Sequence, residues 1–118
     1  MRDINIILEG EAEKEYSRLE KIVEDEIKKG KKKSHNQTLL RSIKSKIEII
    51  RRNHSYGARV PKILIPDYMK VDNLWVVDLS GSWRMLYTLK GNRIEILCFI
   101  LDIMDHDKYN KIFGYKKK

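Results

Sequence analysis

The sequence predicts an α+β fold. An N-terminal strand and a helical hairpin pack on one face of a mainly antiparallel, twisted sheet of about four strands, and a short helix follows at the C-terminus. Three observations carry this reading. Residues 11–53 hold two segments whose apolar side chains recur at helical spacing. Residues 74–104 hold alternating or continuous apolar runs, broken at Ser80-Gly81 and at Lys90-Gly91-Asn92. Between these halves lie both prolines, Pro61 and Pro66, and Gly57.

Residues 4–8, Ile-Asn-Ile-Ile-Leu, read as the first strand, broken by Gly10. The first helix spans 11–29. Ala12, Tyr16, Leu19, Val23 and Ile27 form its apolar stripe, and Glu11–Lys14 and Glu24–Lys28 pair on its charged face. The run from Lys28 to Lys33, interrupted by Gly30, ends it. Lysines complement a helix C-terminus, and glycine lets the chain turn. Asn36 is a cap for a second helix over 37–53, with Leu39, Leu40, Ile43, Ile47 and Ile50 as its stripe and Arg41, Lys44, Arg51 and Arg52 around it. A short joint makes the two helices an antiparallel hairpin. Both bury one face on the sheet, so the helices lie on one side of it.

Residues 54–72 read as a loop with a short edge strand from Val60 to Ile65. Leu74 to Leu79 is a strand, and Ser80-Gly81 is a turn. Ser82 to Leu89 follows as a strand and closes in the Lys90-Gly91-Asn92 hairpin. Arg93 to Met104 is almost continuously apolar, which predicts a central strand buried on both faces. Residues 106–113 form the last helix, before a basic tail at 116–118. There is no internal repeat, and residues 1–118 read as a single domain.

Composition narrows the function. With 36% charged and 42% apolar residues, the chain belongs to the soluble globular class. No apolar run approaches the roughly 18 residues of a membrane-spanning helix. The N-terminal segment has no long apolar stretch, which predicts no secretory leader. Cys98 stands alone, so there is neither an internal disulfide nor an all-cysteine metal site, and a reducing cytoplasm is expected. His35, His54 and His106 lack zinc-ligand spacing, so no metal and no cofactor is expected. Phosphate-cradling glycine loops and a nucleophile elbow are absent as well.

The formal charge is +8. Residues 1–35 are balanced, with nine basic and nine acidic side chains. Residues 36–72 hold eight and three, and residues 73–118 hold eight and five. A basic field concentrated in the second half favours a polyanion or an acidic protein.

The stretch Asn73-Leu74-Trp75-Val76-Val77-Asp78-Leu79-Ser80-Gly81-Ser82-Trp83-Arg84-Met85-Leu86-Tyr87 resembles the second half of toxins in the RelE/ParE superfamily. There a strand and a turn precede a strand of pattern Arg-apolar-apolar-Tyr. Ile94 to Met104, followed by Asp105-His106-Asp107-Lys108-Tyr109, resembles the last strand of that family and its His-x-x-Tyr signature. The loop from Tyr56 to Lys62 resembles the loop before the second strand. The resemblance covers roughly residues 36–115 and implies a RelE-like fold. It implies a toxin neutralised by a cognate acidic antitoxin. RelE-like members cut mRNA in the ribosomal A site; ParE-like members poison DNA gyrase without a nuclease activity. A catalytically silent RelE-like binding module is a third reading.

RNA can be cut without a metal by its own 2′-hydroxyl. The reaction needs a base for the hydroxyl proton, cations for the phosphoryl oxygens and an acid for the leaving 5′-oxygen. Arg84, on a strand, suits phosphoryl oxygens. His106 suits acid or base chemistry. Tyr109 suits a proton donor or a platform for a stacked base. Arg59, Lys62 and Lys70 suit flanking phosphates. Each has a plainer role. Arg84 can pair with Asp78 or Asp102, His106 can start a helix, Tyr109 can pack, and the loop cations can be solvated. Tyr87, Trp75, Trp83 and Cys98 read as core, and His35 and His54 as surface.

One departure matters. The Arg84, His106, Tyr109 set resembles family members that add a glutamate. Here residues 54–72 hold only Asp67 and Asp72 as acids, which leaves the general base unassigned.

Overall fold

A computed structural model describes residues 3–91 and 94–114 of the chain. The elements are β1 (Asp3–Leu8), α1 (Gly10–Lys28), α2 (His35–Arg52), β2 (Ala58–Arg59), β3 (Trp75–Asp78), β4 (Arg84–Gly91), β5 (Glu95–Met104) and α3 (His106–Phe113). The strands form one sheet in the order β1-β5-β4-β3-β2. β1 runs parallel to β5, from Asp3↔Glu95 to Leu8↔Ile100, and the other pairs are antiparallel. β1 therefore does not pack on a face of the sheet. It is a fifth strand at the edge.

The helical hairpin is set by a polar clasp at its turn. Ser34, not Asn36, caps α2: its hydroxyl accepts the Gln37 N–H at 3.0 Å. The Asn36 amide is committed elsewhere, donating to Glu26 at 3.0 Å. Glu26 also accepts from the Ser34 hydroxyl and, at 3.2 Å, from the Gln37 amide. These donors, Ser34 first, hold the Glu26 carboxyl below its ordinary range.

The sheet has two cores. On the hairpin face, Ala12 and Leu19 of α1 and Ile43 and Ile50 of α2 bury Met85, Tyr87, Cys98 and Ile100. On the opposite face, Tyr109 and Phe113 of α3 and Val60 of the long loop bury Leu74, Leu86 and Met104. The two hairpin helices share one side, and α3 lies on the other. α3 takes the second face because its apolar pair follows directly on the end of β5.

That second cover is partial, and it explains β5. Ile96, Cys98 and Ile100 are buried, whereas Leu97, Phe99 and Leu101 alternate with them and are only half-buried. The apolar run predicts burial on both faces, but α3 reaches only the end of the strand. A bulge lies between Leu86 and Tyr87, where the register passes from Leu86↔Asp102 to Tyr87↔Ile100 and leaves Leu101 without an opposite partner.

The expected edge strand from Val60 to Ile65 is shorter and earlier. The Val60 N–H makes a last bond to the Leu74 carbonyl at 2.8 Å. Pro61 then has no N–H to offer, and the chain turns through 3-10 segments at Lys62–Leu64 and Asp67–Met69. The Lys90-Gly91-Asn92 turn is moved as well: Lys90 and Gly91 belong to β4, and Asn92 lies outside the described residues.

Tyr87 is core, and it anchors the start of the loop. Its hydroxyl donates to the His54 carbonyl at 2.8 Å and accepts the Gly57 N–H at 3.0 Å. Burial pushes this phenol up to about 12. Cys98 is fully buried, and burial pushes its thiol up to about 12 as well, which suits an inert core residue.

Candidate active site around Arg84

Arg84 opens β4. It stands directly opposite Asp78, the last residue of β3, and opposite Met104, the last residue of β5. Strand alternation puts it on the α3 face with Leu86. Its Nε donates to Asp78 Oδ1 at 3.0 Å, and its guanidinium lies 4.6 Å from the centre of the Tyr109 ring. Its Nη1 is buried without a hydrogen-bond partner. Of the two acids that could pair with Arg84, the structure selects Asp78. Asp102 is buried and lies 3.8 Å from Lys108 Nζ. Burial raises its carboxyl, against the opposing pull of Lys108.

α3 starts immediately past β5 because Asp105 caps it, Oδ1 accepting the Lys108 N–H at 2.9 Å. His106 is thereby the first helical residue, and it is exposed. Its Nε2 lies 3.0 Å from the Asn110 side-chain nitrogen, one turn along. Asn110 Oδ1 is a second buried polar atom without a partner.

Tyr109 is buried between Arg84 and Phe113, whose ring centre is 4.5 Å away. The ring is occupied on both counts, so it is not a platform for a nucleobase. It is the floor under the guanidinium.

The loop cations separate. Lys62 and Lys70 are exposed on the segment that covers the α3 face, Lys70 in a left-handed conformation with φ 52°. Arg59 is elsewhere. It pairs in register with Trp75 and lies 5.4 Å from its ring. Trp75 stacks on Tyr87 on the hairpin side of the sheet, away from Arg84.

Two further side chains join the neighbourhood. β2 pairs only with Trp75 and Val76, so the end of β3 is an open edge. A cleft of about 400 Å³ lies there, lined by Lys46, Tyr56, Gly57, Val76 and Asp78 among others. Lys46 Nζ is 3.3 Å from the Tyr56 hydroxyl and 5.5 Å from its ring centre. Lys46 sits in α2 and Tyr56 in the loop after it, so no helical or strand periodicity marks them as neighbours of Asp78.

Among the described residues, no group of three or more His, Cys, Asp or Glu side chains is placed to hold a metal ion, and no helix is long and apolar enough to cross a membrane. No family model and no curated protein matches the sequence. Among solved structures, the YoeB/ParE toxin from Agrobacterium tumefaciens is similar over 86% of this chain and 98% of its own, with 12% sequence identity and a TM-score of 0.58. The likeness is one of fold, an α+β domain with a mixed five-stranded sheet.

Proposed function

We propose that this chain is the toxin of a toxin–antitoxin pair and a ribosome-dependent endoribonuclease that cuts mRNA through its own 2′-hydroxyl. The observation that carries the reading is the state of Arg84. Its guanidinium is fixed at Nε by Asp78 and from below by Tyr109, and Nη1 is left buried without an acceptor. The Arg84 side chain is part-exposed beyond this contact, and a phosphoryl oxygen can accept from its accessible edge. The fixed guanidinium then stabilises charge that develops on the phosphorane.

His106, exposed at the start of α3, donates a proton to the leaving 5′-oxygen. Tyr109 acts through Arg84 as a positioning residue. Lys62 and Lys70 bind flanking phosphates on the α3 face, and Arg59 meets RNA only beyond the β2 edge. The net charge of +8 suits RNA and an acidic antitoxin alike. The name of the similar Agrobacterium protein is that of a toxin, which supports the toxin reading.

The test is a cleavage map. Protein and its Arg84→Ala variant are each mixed with mRNA-programmed ribosomes, and new 5′ ends are located by primer extension. Cuts within A-site codons that vanish with the variant are expected. Folded protein that makes no cuts overturns the nuclease.

The burial of Tyr109 and the ion pair of Arg84 also favour a second reading, in which this cluster only holds α3 in place. The toxin would then be a ParE-like inhibitor of DNA gyrase, and a supercoiling assay with the same protein decides it.

A further inference from the structure

We infer that Asp78 is the general base of the proposed cleavage, taking the 2′-hydroxyl proton of a nucleotide seated in the cleft beside it. The inference rests on the ribonuclease reading and supplies the group that reading lacks. The other acids near Arg84 are committed or out of reach. Asp102 is buried against Lys108, and Asp105 caps α3. Asp78 combines two properties a base needs. Its Oδ1 is fixed on Arg84 Nε at 3.0 Å, and its side chain is 83% exposed. Substrate can therefore reach the carboxylate, which is already oriented by the guanidinium that binds the phosphate.

Topology places base and acid on opposite sides of that guanidinium. Asp78, Arg84 and Met104 stand in register across β3, β4 and β5, and His106 follows Met104 by two residues. Adjacent strands lie about 4.8 Å apart, so Asp78 and the end of β5 are separated by roughly 10 Å with Arg84 between them. An in-line displacement at phosphorus requires this arrangement, because the attacking and leaving oxygens lie on opposite sides. Room for the attacking nucleotide is on the correct side. The 400 Å³ cleft at the open edge of β3 runs from Asp78 to Tyr56 and Lys46.

The step balances without a further reactant. The 2′-oxygen gives its proton to Asp78 and forms the bond to phosphorus. The bond from phosphorus to the 5′-oxygen breaks, and that oxygen takes a proton from the imidazolium form of His106, which is left neutral. The products are a 2′,3′-cyclic phosphate and a 5′-hydroxyl. The charged and titratable groups facing Asp78 are Arg84 from β4, and Lys46 and Tyr56 across the cleft.

The experiment compares wild type, Asp78→Asn, Asp78→Ala and Asp78→Glu on mRNA-programmed ribosomes, with kcat, KM and the pH–rate profile measured for each. Asparagine keeps an acceptor for Arg84 Nε and removes only the basicity. The expected result for Asp78→Asn is an unchanged thermal midpoint, an unchanged KM and a kcat lower by about 10²–10⁴-fold. The acid-side fall of the profile should disappear with it, and Asp78→Glu should recover part of the rate. An Asp78→Asn protein that cuts at the wild-type rate with the wild-type profile overturns the inference and leaves Asp78 a positioning residue. So does a loss confined to KM. If wild type itself makes no cuts, the ribonuclease reading falls and this inference falls with it.

Discussion

The Arg84 guanidinium lies over the Tyr109 ring, its carbon 4.6 Å from the ring centre. The pair ties the first residue of β4 to the middle of α3, so the seat of the helix sets the position of the charge. Tyr109 is held in turn by Phe113, and both are buried against Leu86 and Met104. A site cation thus rests on a hydrophobic core and not on a loop, which keeps it rigid without a ligand.

The first prediction separates the Tyr109 ring from its hydroxyl. Tyr109→Phe keeps the ring, so Arg84 stays seated and mRNA cleavage stays near the wild-type rate. Tyr109→Ala removes a buried aromatic, which typically costs about 3–5 kcal/mol, and a cation–π contact of about 0.5–2 kcal/mol. Its urea midpoint and its cleavage both fall. A Tyr109→Phe protein as inactive as Tyr109→Ala, yet as stable as wild type, would give the phenol a direct part in the chemistry.

The second prediction concerns the entry to the loop. A Cβ on Gly57 would lie 2.9 Å from the Val76 carbonyl oxygen and 3.0 Å from the Tyr87 hydroxyl. One contact is backbone and the other is a buried ring, so neither yields freely. Gly57→Ala should destabilise the fold by about 1–3 kcal/mol, the usual range for overpacking. Tyr87→Phe should cost a similar amount, about 1–3 kcal/mol, because the His54 carbonyl and the Gly57 N–H lose their partner. Urea unfolding of both variants and the double variant checks this. Since each change acts on the same contact, the double variant should fall short of the sum.

The order of elements was legible in the sequence because periodicity is a local property. α1, α2, β3, β4, β5 and α3 lie within a few residues of where apolar spacing and turn residues put them. What local spacing does not encode is which side of the sheet an element takes. Tyr109 and Phe113 announce an apolar helix, but only the path out of β5 decides that they cover the face opposite the hairpin. β1 was readable as a strand, not as the parallel edge neighbour of β5. The site divides in the same way. Arg84, His106 and Tyr109 stand out by residue type and order. The side of the sheet that Arg59 takes and the neighbourhood of Lys46, Tyr56 and Asp78 arise from long-range register. The helix start was misplaced by two residues for a chemical reason. Asn36 is as good a cap as Ser34 in isolation, but its amide is drawn to Glu26 across the hairpin.

The last prediction uses two carboxyl groups whose shifts have opposite signs. Hydrogen bonds from Ser34, Asn36 and Gln37 hold the folded Glu26 carboxyl below its unfolded value, near 4.5. The unfolded chain therefore protonates first. Glu26 contributes stability above the unfolded value, and the contribution is lost as pH falls through the lowered folded value. Burial instead raises the folded Asp102 carboxyl above its unfolded value, near 3.8. The folded chain now binds the proton more tightly, so the contribution is full below the unfolded value and is lost as pH rises through the folded one. Urea midpoints measured from acid to neutral pH should show both limbs. Glu26→Gln flattens the acid limb and lowers the midpoint at neutral pH. Asp102→Asn flattens the opposite limb and raises the midpoint at neutral pH, because it removes the need to bury a charge. Lys108→Met, which strips Asp102 of its 3.8 Å partner, should lower the neutral midpoint in wild type and leave it unchanged in the Asp102→Asn background. A Lys108→Met effect of equal size in both backgrounds would show that the ion pair does not set the ionisation of Asp102.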